Sequence, residues 1–224
     1  YNISKSSKLI IYQHGGHYGI GKFLTFAEHE YSICDNFLTW GWEEKNIQKI
    51  KKFYSPIKKK NYSKSIKKNN KILIVSVSSP KYTKYFYSSS LSYQVGNQFK
   101  SLNNLYEMLE IDLRNKIFIR IKKEYGYKFE KNINFKKENP KKIKLTKSLK
   151  ESSLVISTYN GTVWLEAISY NIPTILYLEP DYFEFSETSK KLMVELEEVG
   201  IIQRSSKKLS ELITDIYLDP MRWW

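Results

Sequence analysis

The segment 153–178 constrains the fold of this chain more than any other part of the sequence. It begins with an apolar run at 154–156, passes through small polar residues into a helix-like stretch, and ends in a second apolar run at 174–178. Strand, helix and strand in this order are typical of open α/β sheets. A helix that starts directly after a buried strand points its free backbone N–H groups and its positive dipole end beyond the sheet edge. The segment therefore predicts a phosphate site at the start of that helix.

One carboxylate accompanies this predicted phosphate site. Glu166 follows Thr162 by four residues, so both side chains lie on the same face of the predicted helix. In other nucleotide-binding folds an acidic residue near the phosphate accepts hydrogen bonds from sugar hydroxyls. Glu166 is therefore a candidate for binding the sugar part of a phosphorylated ligand.

Short apolar runs alternate with helix-like stretches along most of the chain. The predicted strands are 8–12, 36–40, 71–77, 116–121, 154–158 and 174–178. The predicted helices are 23–32, 99–109, 162–170, 187–199 and 207–217. This alternation indicates the α/β class with a Rossmann-like, mostly parallel sheet.

A lysine-rich stretch at 56–70 interrupts the alternation and divides the chain. We expect residues 1–55 to be the C-terminal part of one Rossmann-like domain and 56–70 to be a basic linker. Residues 71–224 are then a second Rossmann-like domain, truncated at its C-terminus, and the chain is a fragment of a longer protein. Ligands of open α/β sheets bind outside the carboxyl ends of the strands, where the polar motifs of this sequence fall.

Composition argues against several classes of function. No apolar run approaches the roughly 18 residues that a membrane span needs. Cys34 is the single cysteine, which excludes an internal disulfide and fits a reducing compartment, so we expect a cytoplasmic location. The formal charge of +14 suggests nucleic-acid binding, but only four of the 37 basic residues are arginine. Because base and phosphate recognition depends on the planar fork of arginine, the sequence does not favour a nucleic-acid partner.

The basic residues are unevenly distributed. Eleven lysines and no acidic residue occur from Lys45 to Lys71. Such a run is most simply a solvated linker. Peripheral contact with the anionic inner face of a membrane is the alternative interpretation.

A glycine-rich loop, Gln-His-Gly-Gly-His-Tyr-Gly at 13–19, follows the first predicted strand. Gly15, Gly16 and Gly19 let the backbone adopt positive φ angles and approach a ligand closely. His14 is a candidate general base near neutral pH, and Glu30 is a second candidate. The alternative is a tight turn in which the histidine caps the next helix.

Two further interpretations concern the same part of the chain. His14, His17 and His29 could hold zinc together with Glu28 or Glu30, but their spacing matches no dense ligand motif. The residues Trp40 and Trp42 could stack on a sugar or a base, or could pack in the core.

Two motifs of the second predicted domain also carry groups that suit phosphate. Ser78 and Ser79 follow a predicted strand and either bind phosphate oxygens or form a turn before a proline. Arg120 closes the next predicted strand and either recognises a diphosphate or forms a surface ion pair.

Together, these motifs resemble a family of surface-carbohydrate transferases and, more broadly, the GT-B glycosyltransferases. The motifs that carry the resemblance are Gln-His-Gly-Gly-His-Tyr-Gly, Asp-Asn-Phe-Leu-Thr-Trp-Gly-Trp, Ser-Ser-Pro, and Ser-Thr-Tyr-Asn-Gly-Thr-Val-Trp-Leu-Glu-Ala followed by Asn-Ile-Pro-Thr. The resemblance covers residues 8–42 and 71–215.

The resemblance implies two facing Rossmann-like domains with a cleft between them. It implies a nucleotide-sugar co-substrate, a glycan or lipid-linked acceptor, and neither a metal nor another cofactor. On this basis Asn160, Gly161, Thr162 and Glu166 belong to the donor site, with Gly161 and Thr162 cradling the phosphate and Glu166 holding the ribose hydroxyls. His14 would face the reaction centre from the N-terminal side.

The sequence therefore predicts a fragment of a glycosyltransferase that acts on a surface polysaccharide or lipopolysaccharide. His14 or Glu30 would accept the proton of the acceptor hydroxyl, while Ser78, Ser79 and Arg120 would help to stabilise the leaving phosphate. Two alternatives stay open. One is a transferase that moves a phosphopolyol from a CDP-activated donor on a similar scaffold, and the other is a nucleotide- or polyanion-binding module without catalysis.

Overall fold

The protein is an α/β structure with two parallel sheets. The computed structural model describes residues 7–44, 46–57, 70–77, 88, 90–91, 93–122 and 129–224 of the 224-residue chain. Every pairing between neighbouring strands within the two sheets is parallel. This architecture is consistent with the Rossmann-like fold that the sequence predicts.

The first sheet has three strands in the order β1-β2-β3. Its elements are β1 (Ile10–Tyr12), α1 (Thr25–Ile33), β2 (Asn36–Thr39) and β3 (Ile50–Lys52). Phe37 on the central strand is fully buried, and a small apolar core forms around it. The other buried members of this core are Tyr18, Leu24, Ala27, Cys34 and Ile50.

The second sheet has six strands in the order β6-β5-β4-β7-β8-β9. The strands are β4 (Ile72–Val77), β5 (Ile117–Lys122), β6 (Lys136–Glu138), β7 (Leu154–Ser157), β8 (Thr174–Tyr177) and β9 (Ile202–Gln203). The helices of this unit are α2 (Tyr93–Met108), α3 (Ile111–Arg114), α4 (Leu145–Lys150), α5 (Thr162–Ser169), α6 (Glu187–Glu198), α7 (Ser206–Ile216) and α8 (Pro220–Trp223).

The two central strands of this sheet are covered on both faces. Apolar residues on one face of β4 and β7 pack with α2 and α7, and those on the other face pack with α4 and α5. Strands buried on both sides are expected to be apolar along their length, as 72–77 and 154–156 are. The sheet thus holds the start of α5 at a fixed position beside the end of β7.

The structure contains the predicted strands and helices and adds elements that the sequence pattern did not indicate. Among the described residues, the added strands are β3, β6 and β9, which are two or three residues long and lie at sheet edges. Lysines supply two of the three residues in both β3 and β6, so neither has an apolar signature. The helix predicted at 99–109 begins earlier, at Tyr93, because Val95 and Phe99 continue its buried face.

The loop after β1 joins the two sheets. An antiparallel bridge pairs Gly21 with Phe185, and the backbone N–H of Ser186 donates to the carbonyl of Ile20 at 2.8 Å. The Oγ of Ser186 also donates to the carbonyl of Gly19 at 2.7 Å. These contacts bring the carboxyl edges of the two sheets together. In the parts of the chain that the structure describes, no helix has the length and apolar character to cross a membrane.

Candidate active site

A cleft of about 590 Å³ opens where the carboxyl edges of the two sheets meet. Its volume lies in the range of ligand pockets, which is roughly 300–1,000 Å³. The lining residues come from both sheets: Tyr12, Gln13, His14, Trp40, Pro56, Ile57, Thr162, Glu166, Ser169 and Tyr170. The cleft therefore places His14 of the glycine-rich loop opposite Thr162 and Glu166 of α5.

The glycine-rich loop touches the start of α5 directly. The backbone N–H of Gly16 donates to Oγ1 of Thr162 at 3.1 Å. A Cβ on Gly16 would lie 2.9 Å from the carbonyl carbon of Gly161, which is closer than side chains are found in practice. Gly16 is therefore required for a close approach between two backbone segments. The sequence predicted a close approach to a ligand at this position.

Gly19 has a different role in the loop. Its φ angle is +74°, and a Cβ there would lie 2.5 Å from the ring of Trp42. The positive φ confirms that the loop needs a glycine for its backbone conformation. A Cβ on Gly15 would meet no atom closer than 3.9 Å, so the loop has room for a side chain at that position.

Gln13 holds the loop to the neighbouring strand. Its Nε2 donates to the carbonyl of Gly15, and its Oε1 accepts from the backbone N–H of Trp40 and from Nε1 of Trp42, all at 2.8 Å. Trp42 thus packs against the loop. Trp40 lines the cleft, and its own Nε1 is buried with no hydrogen-bond partner among the described residues.

The two candidate bases, His14 and Glu30, belong to one hydrogen-bonded cluster. Nε2 of His14 lies 3.1 Å from Oε1 of Glu30 and 2.5 Å from the hydroxyl of Tyr18. The same hydroxyl donates to Oε2 of Glu30 at 2.7 Å. The side chain of His14 is 63% exposed, whereas that of Glu30 is 20% exposed. His14 is therefore the group that can reach a substrate, and Glu30 lies behind it.

Tyr18 is the member of this cluster that the sequence analysis did not single out. It is 2% exposed and stacks on Phe37, and its ring also meets the edge of Phe26. Burial, the hydrogen bond to Glu30 and the charge of Glu30 together raise the pKa of Tyr18 far above its usual value. The hydroxyl therefore stays protonated. Its spacing of four residues from His14 within the loop is the one signal that could have drawn attention to it.

The start of α5 presents unsatisfied polar groups. Gly161 is the N-cap, and among the described residues no side-chain hydrogen bond caps this helix start. Asn160 is 1% exposed, and neither its Oδ1 nor its Nδ2 has a hydrogen-bond partner among the described residues. Burying an amide without a partner is costly, so open groups of this kind indicate contact with a polar ligand.

His17 lies beside this helix start. A Cβ on Gly161 would meet Nε2 of His17 at 3.3 Å. Burial lowers the pKa of His17, and the nearby Asn160 amide partly opposes that effect although it does not reach good hydrogen-bond geometry. His17 is therefore neutral near pH 7.

Glu166 faces the cleft from α5. Burial raises the pKa of its carboxyl group, and no hydrogen bond or neighbouring charge within the described structure opposes that effect. A half-buried carboxylate with open lone pairs can accept hydrogen bonds from the hydroxyl groups of a ligand.

Arg120 does not line the cleft. Its guanidinium donates to Oε1 of Glu138 at 2.8 Å and to the carbonyl of Ile143 at 2.8 Å, and the residue is 8% exposed. Oε2 of Glu138 also accepts from Lys71 and from Ser148. These contacts give Arg120 a buried structural ion pair, so we do not include it in the site.

Three other predictions concern the two phosphate-binding serines, the lysine-rich stretch and the zinc site. Ser78 and Ser79 lie outside the described residues, as do Lys45 and residues 58–69 of the lysine-rich stretch. Among the residues that are described, no three histidine, cysteine or acidic side chains come together as a metal site.

Sequence comparison then places the chain in a family. A family model described as LIC12162 family transferase matches residues 1–224, which is the whole chain. The chain belongs to that family of transferases. None of the curated proteins matches it. For a transferase, a cleft with an exposed imidazole on one side and an open helix start on the other is a suitable place for two substrates to meet.

Proposed function

We propose that the protein is a GT-B type glycosyltransferase, or a part of one, that moves a sugar from a nucleotide-activated donor to a surface carbohydrate. The observation that carries this proposal is the arrangement of the cleft. His14 lies on one side, and Thr162 and Glu166 lie on the other. A base and an anion-binding helix start that share one cleft are what a displacement at an activated sugar requires.

The acceptor binds on the side of His14. The oxygen of an acceptor hydroxyl attacks the anomeric carbon of the sugar, and its proton passes to the free ring nitrogen of His14. A positioned general base of this kind contributes roughly 10²–10⁴-fold to the rate.

The donor binds on the side of α5. As the bond between the anomeric carbon and the phosphate oxygen breaks, the leaving nucleoside phosphate takes up the bonding electron pair. The first-turn N–H groups of α5 and the hydroxyl of Thr162 stabilise this negative charge. Glu166 accepts hydrogen bonds from the ribose hydroxyls, and Asn160 supplies a further polar contact.

We infer the cellular location from the proposed substrates. We propose a polysaccharide or lipopolysaccharide acceptor, and activated donors of this kind are made in the cytoplasm. The lysines from Lys45 to Lys71 would then favour peripheral contact with the anionic inner face of a membrane.

A panel assay tests the proposed function. The protein is incubated with UDP-, GDP-, TDP- and CMP-sugars and a glycan acceptor, and the products are identified by mass spectrometry. We expect transfer of a sugar without phosphate, a loss of roughly 10²–10⁴-fold in His14→Ala, and wild-type rates in His29→Ala. His29 is a matched control because it is an exposed histidine of the neighbouring helix α1. Sugar transfer at the wild-type rate by His14→Ala would refute the proposed base.

The CDP-polyol alternative is compatible with the same site geometry. The Gly16–Thr162 hydrogen bond holds the loop of His14 against the helix start itself, which suits attack at phosphorus as well as at a sugar carbon. CDP-glycerol in the same panel separates the two reactions, because transfer of glycerol together with its phosphate would replace the glycosyltransferase proposal.

A further inference from the structure

The contacts of Tyr18 limit where the proton of His14 can be. Tyr18 has one hydroxyl proton, and it donates that proton to Oε2 of Glu30. An ionised carboxylate accepts hydrogen bonds and donates none. Both groups that contact Nε2 of His14 therefore face it with oxygen lone pairs.

We infer that Tyr18 and Glu30 hold His14 as the Nε2–H tautomer, which leaves the lone pair on Nδ1 as the proton acceptor. A proton on Nε2 satisfies the contacts to Tyr18 and to Glu30 at the same time. A proton on Nδ1 would instead place the Nε2 lone pair against the lone pairs of Glu30 at 3.1 Å. Tyr18 is thus a positioning residue, since it acts through His14 and lies behind it.

The packing of Tyr18 keeps this arrangement rigid. Its ring is held between Phe37 and Phe26, so the hydroxyl oxygen stays within hydrogen-bond distance of Glu30 and His14. The raised pKa of Tyr18 keeps its hydroxyl protonated, so the hydrogen bond to Glu30 persists. A base whose ring orientation and tautomer are both set in advance loses no free energy in reaching the reactive form.

This inference rests on the proposed function for the role of His14 as a base, but its first test does not. A long-range ¹H–¹⁵N correlation spectrum of the full chain reports directly which imidazole nitrogen carries the proton. The chain has three histidines, and the resonances of His14 are those that disappear in His14→Ala. Neutral His14 is expected to show a protonated Nε2 and an unprotonated Nδ1. A protonated Nδ1 in the wild-type protein would overturn the inference.

Two variants with similar side-chain volume sharpen the test. Tyr18→Phe keeps the packing of the ring and removes the bridging hydroxyl, so the resonances of His14 are expected to move toward a mixture of tautomers. In Glu30→Gln, the amide can donate to Nε2, and the proton is expected to shift to Nδ1. Tyr31→Phe is the matched control, because it removes a neighbouring hydroxyl of the same aromatic core and is expected to leave His14 unchanged. A wild-type tautomer in both Tyr18→Phe and Glu30→Gln would overturn the inference.

Kinetics give an independent readout once the donor is known. Tyr18→Phe is expected to lower kcat by roughly 5- to 10-fold, the worth of one hydrogen bond, with the donor KM unchanged. The Glu30→Gln variant is expected to lose about 100-fold, because its base is blocked by a proton. If the tautomers behave as expected but no donor in the panel yields sugar transfer, the proposed function fails while the assignment of Tyr18 stands. If sugar transfer occurs and Tyr18→Phe raises the donor KM instead of lowering kcat, the assignment fails alone.

Discussion

Two carboxylates of the second sheet unit have opposite surroundings, although burial acts on both in the same direction. At the flank of the sheet, Glu138 receives hydrogen bonds from Lys71, Arg120 and Ser148. Burial alone raises the pKa of Glu138, but these bonds outweigh it and the pKa is lowered. In the cleft, burial raises the pKa of Glu166 and nothing in the described structure opposes it.

The difference shows how a structural charge is distinguished from a binding charge in this protein. The lone pairs of Glu138 are used within the fold, so it has little left to offer a ligand. The lone pairs of Glu166 are open, and the same is true of the buried amide of Asn160. Several other buried polar atoms without a partner in the described structure lie outside the cleft lining, so the position of Glu166 in that lining is what marks it as a binding charge.

The largest expected effect on stability comes from removing Glu138, whose carboxylate accepts hydrogen bonds from Lys71, Arg120 and Ser148. Glu138→Ala leaves the buried guanidinium of Arg120 and the mostly buried ammonium of Lys71 without their carboxylate, so it should lower the free energy of unfolding by about 3–5 kcal/mol. Urea denaturation of the variant and the wild type measures the loss. Glu151→Ala is the control, because its pair with Lys147 is exposed and 3.8 Å long, and it should cost less than about 1 kcal/mol. A loss of stability equal to that of the control would mean that the network contributes little.

The matching change at Glu166 should act mainly on ligand binding, with only a small effect on folding. Glu166→Gln removes a charged acceptor, worth about 1.5–3 kcal/mol, so donor affinity should fall roughly 10- to 100-fold. Isothermal titration with the donor from the panel assay measures it. Glu195→Gln, an exposed change on α6, should bind as the wild type does. Unchanged donor affinity in Glu166→Gln would remove this residue from the site.

The contrast between the two carboxylates also shows which parts of the structure can be predicted from the sequence and which cannot. The pattern of apolar runs was enough to predict the central strands and α5, because strands buried on both faces carry a continuous apolar signature. The prediction that Arg120 binds the donor was wrong, because its ion-pair partner Glu138 lies on β6. That strand is lysine-rich and three residues long, so it has no pattern from which to predict a pairing.

The candidate site was predicted in part for a similar reason. Local motifs indicate His14, Thr162 and Glu166, which line one cleft in the structure, and Gly16, which donates to Thr162 beside it. The sequence also named Trp40, which lines the cleft, whereas the role of Tyr18 depends on long-range packing against Phe37 that no local motif expresses. Whether a polar group is satisfied or open is likewise a property of the folded chain.

The contact between the two sheet edges gives the next effect. Gly16→Ala would force its Cβ to within 2.9 Å of backbone atoms, and overpacking of this kind costs about 1–3 kcal/mol. Because the clash widens the cleft, transfer should fall as well. Gly15→Ala, next to it in the same loop, has room for a methyl group and should behave as the wild type. Equal stability and activity in the two variants would show that the edges are not held in close contact.

The smallest effect concerns pH. The pKa of Glu138 is lowered in the folded state, so its contribution to stability is present above its usual pKa of 4.5 and is lost as the pH falls below that value. The pKa of Glu166 is raised, so its contribution is complete below 4.5 and is lost as the pH rises through the folded pKa.

Thermal denaturation across pH 3–8 distinguishes these two opposite dependences of stability on pH. The stability of Glu166→Gln relative to the wild type should increase as the pH rises above 4.5 and through the raised pKa of the wild-type carboxyl group. The difference should be small, because partial exposure screens the charge. A difference that grows as the pH falls would contradict the assigned direction.

The central claim is that the two sides of the cleft act on different reactants, and measuring donor Kd and single-turnover rate in one variant tests it most directly. For His14→Ala we predict a donor Kd equal to that of the wild type and a transfer rate at saturating donor that is roughly 10²–10⁴-fold lower. A donor Kd weakened as much as in Glu166→Gln, with an unchanged rate at saturation, would contradict the claim.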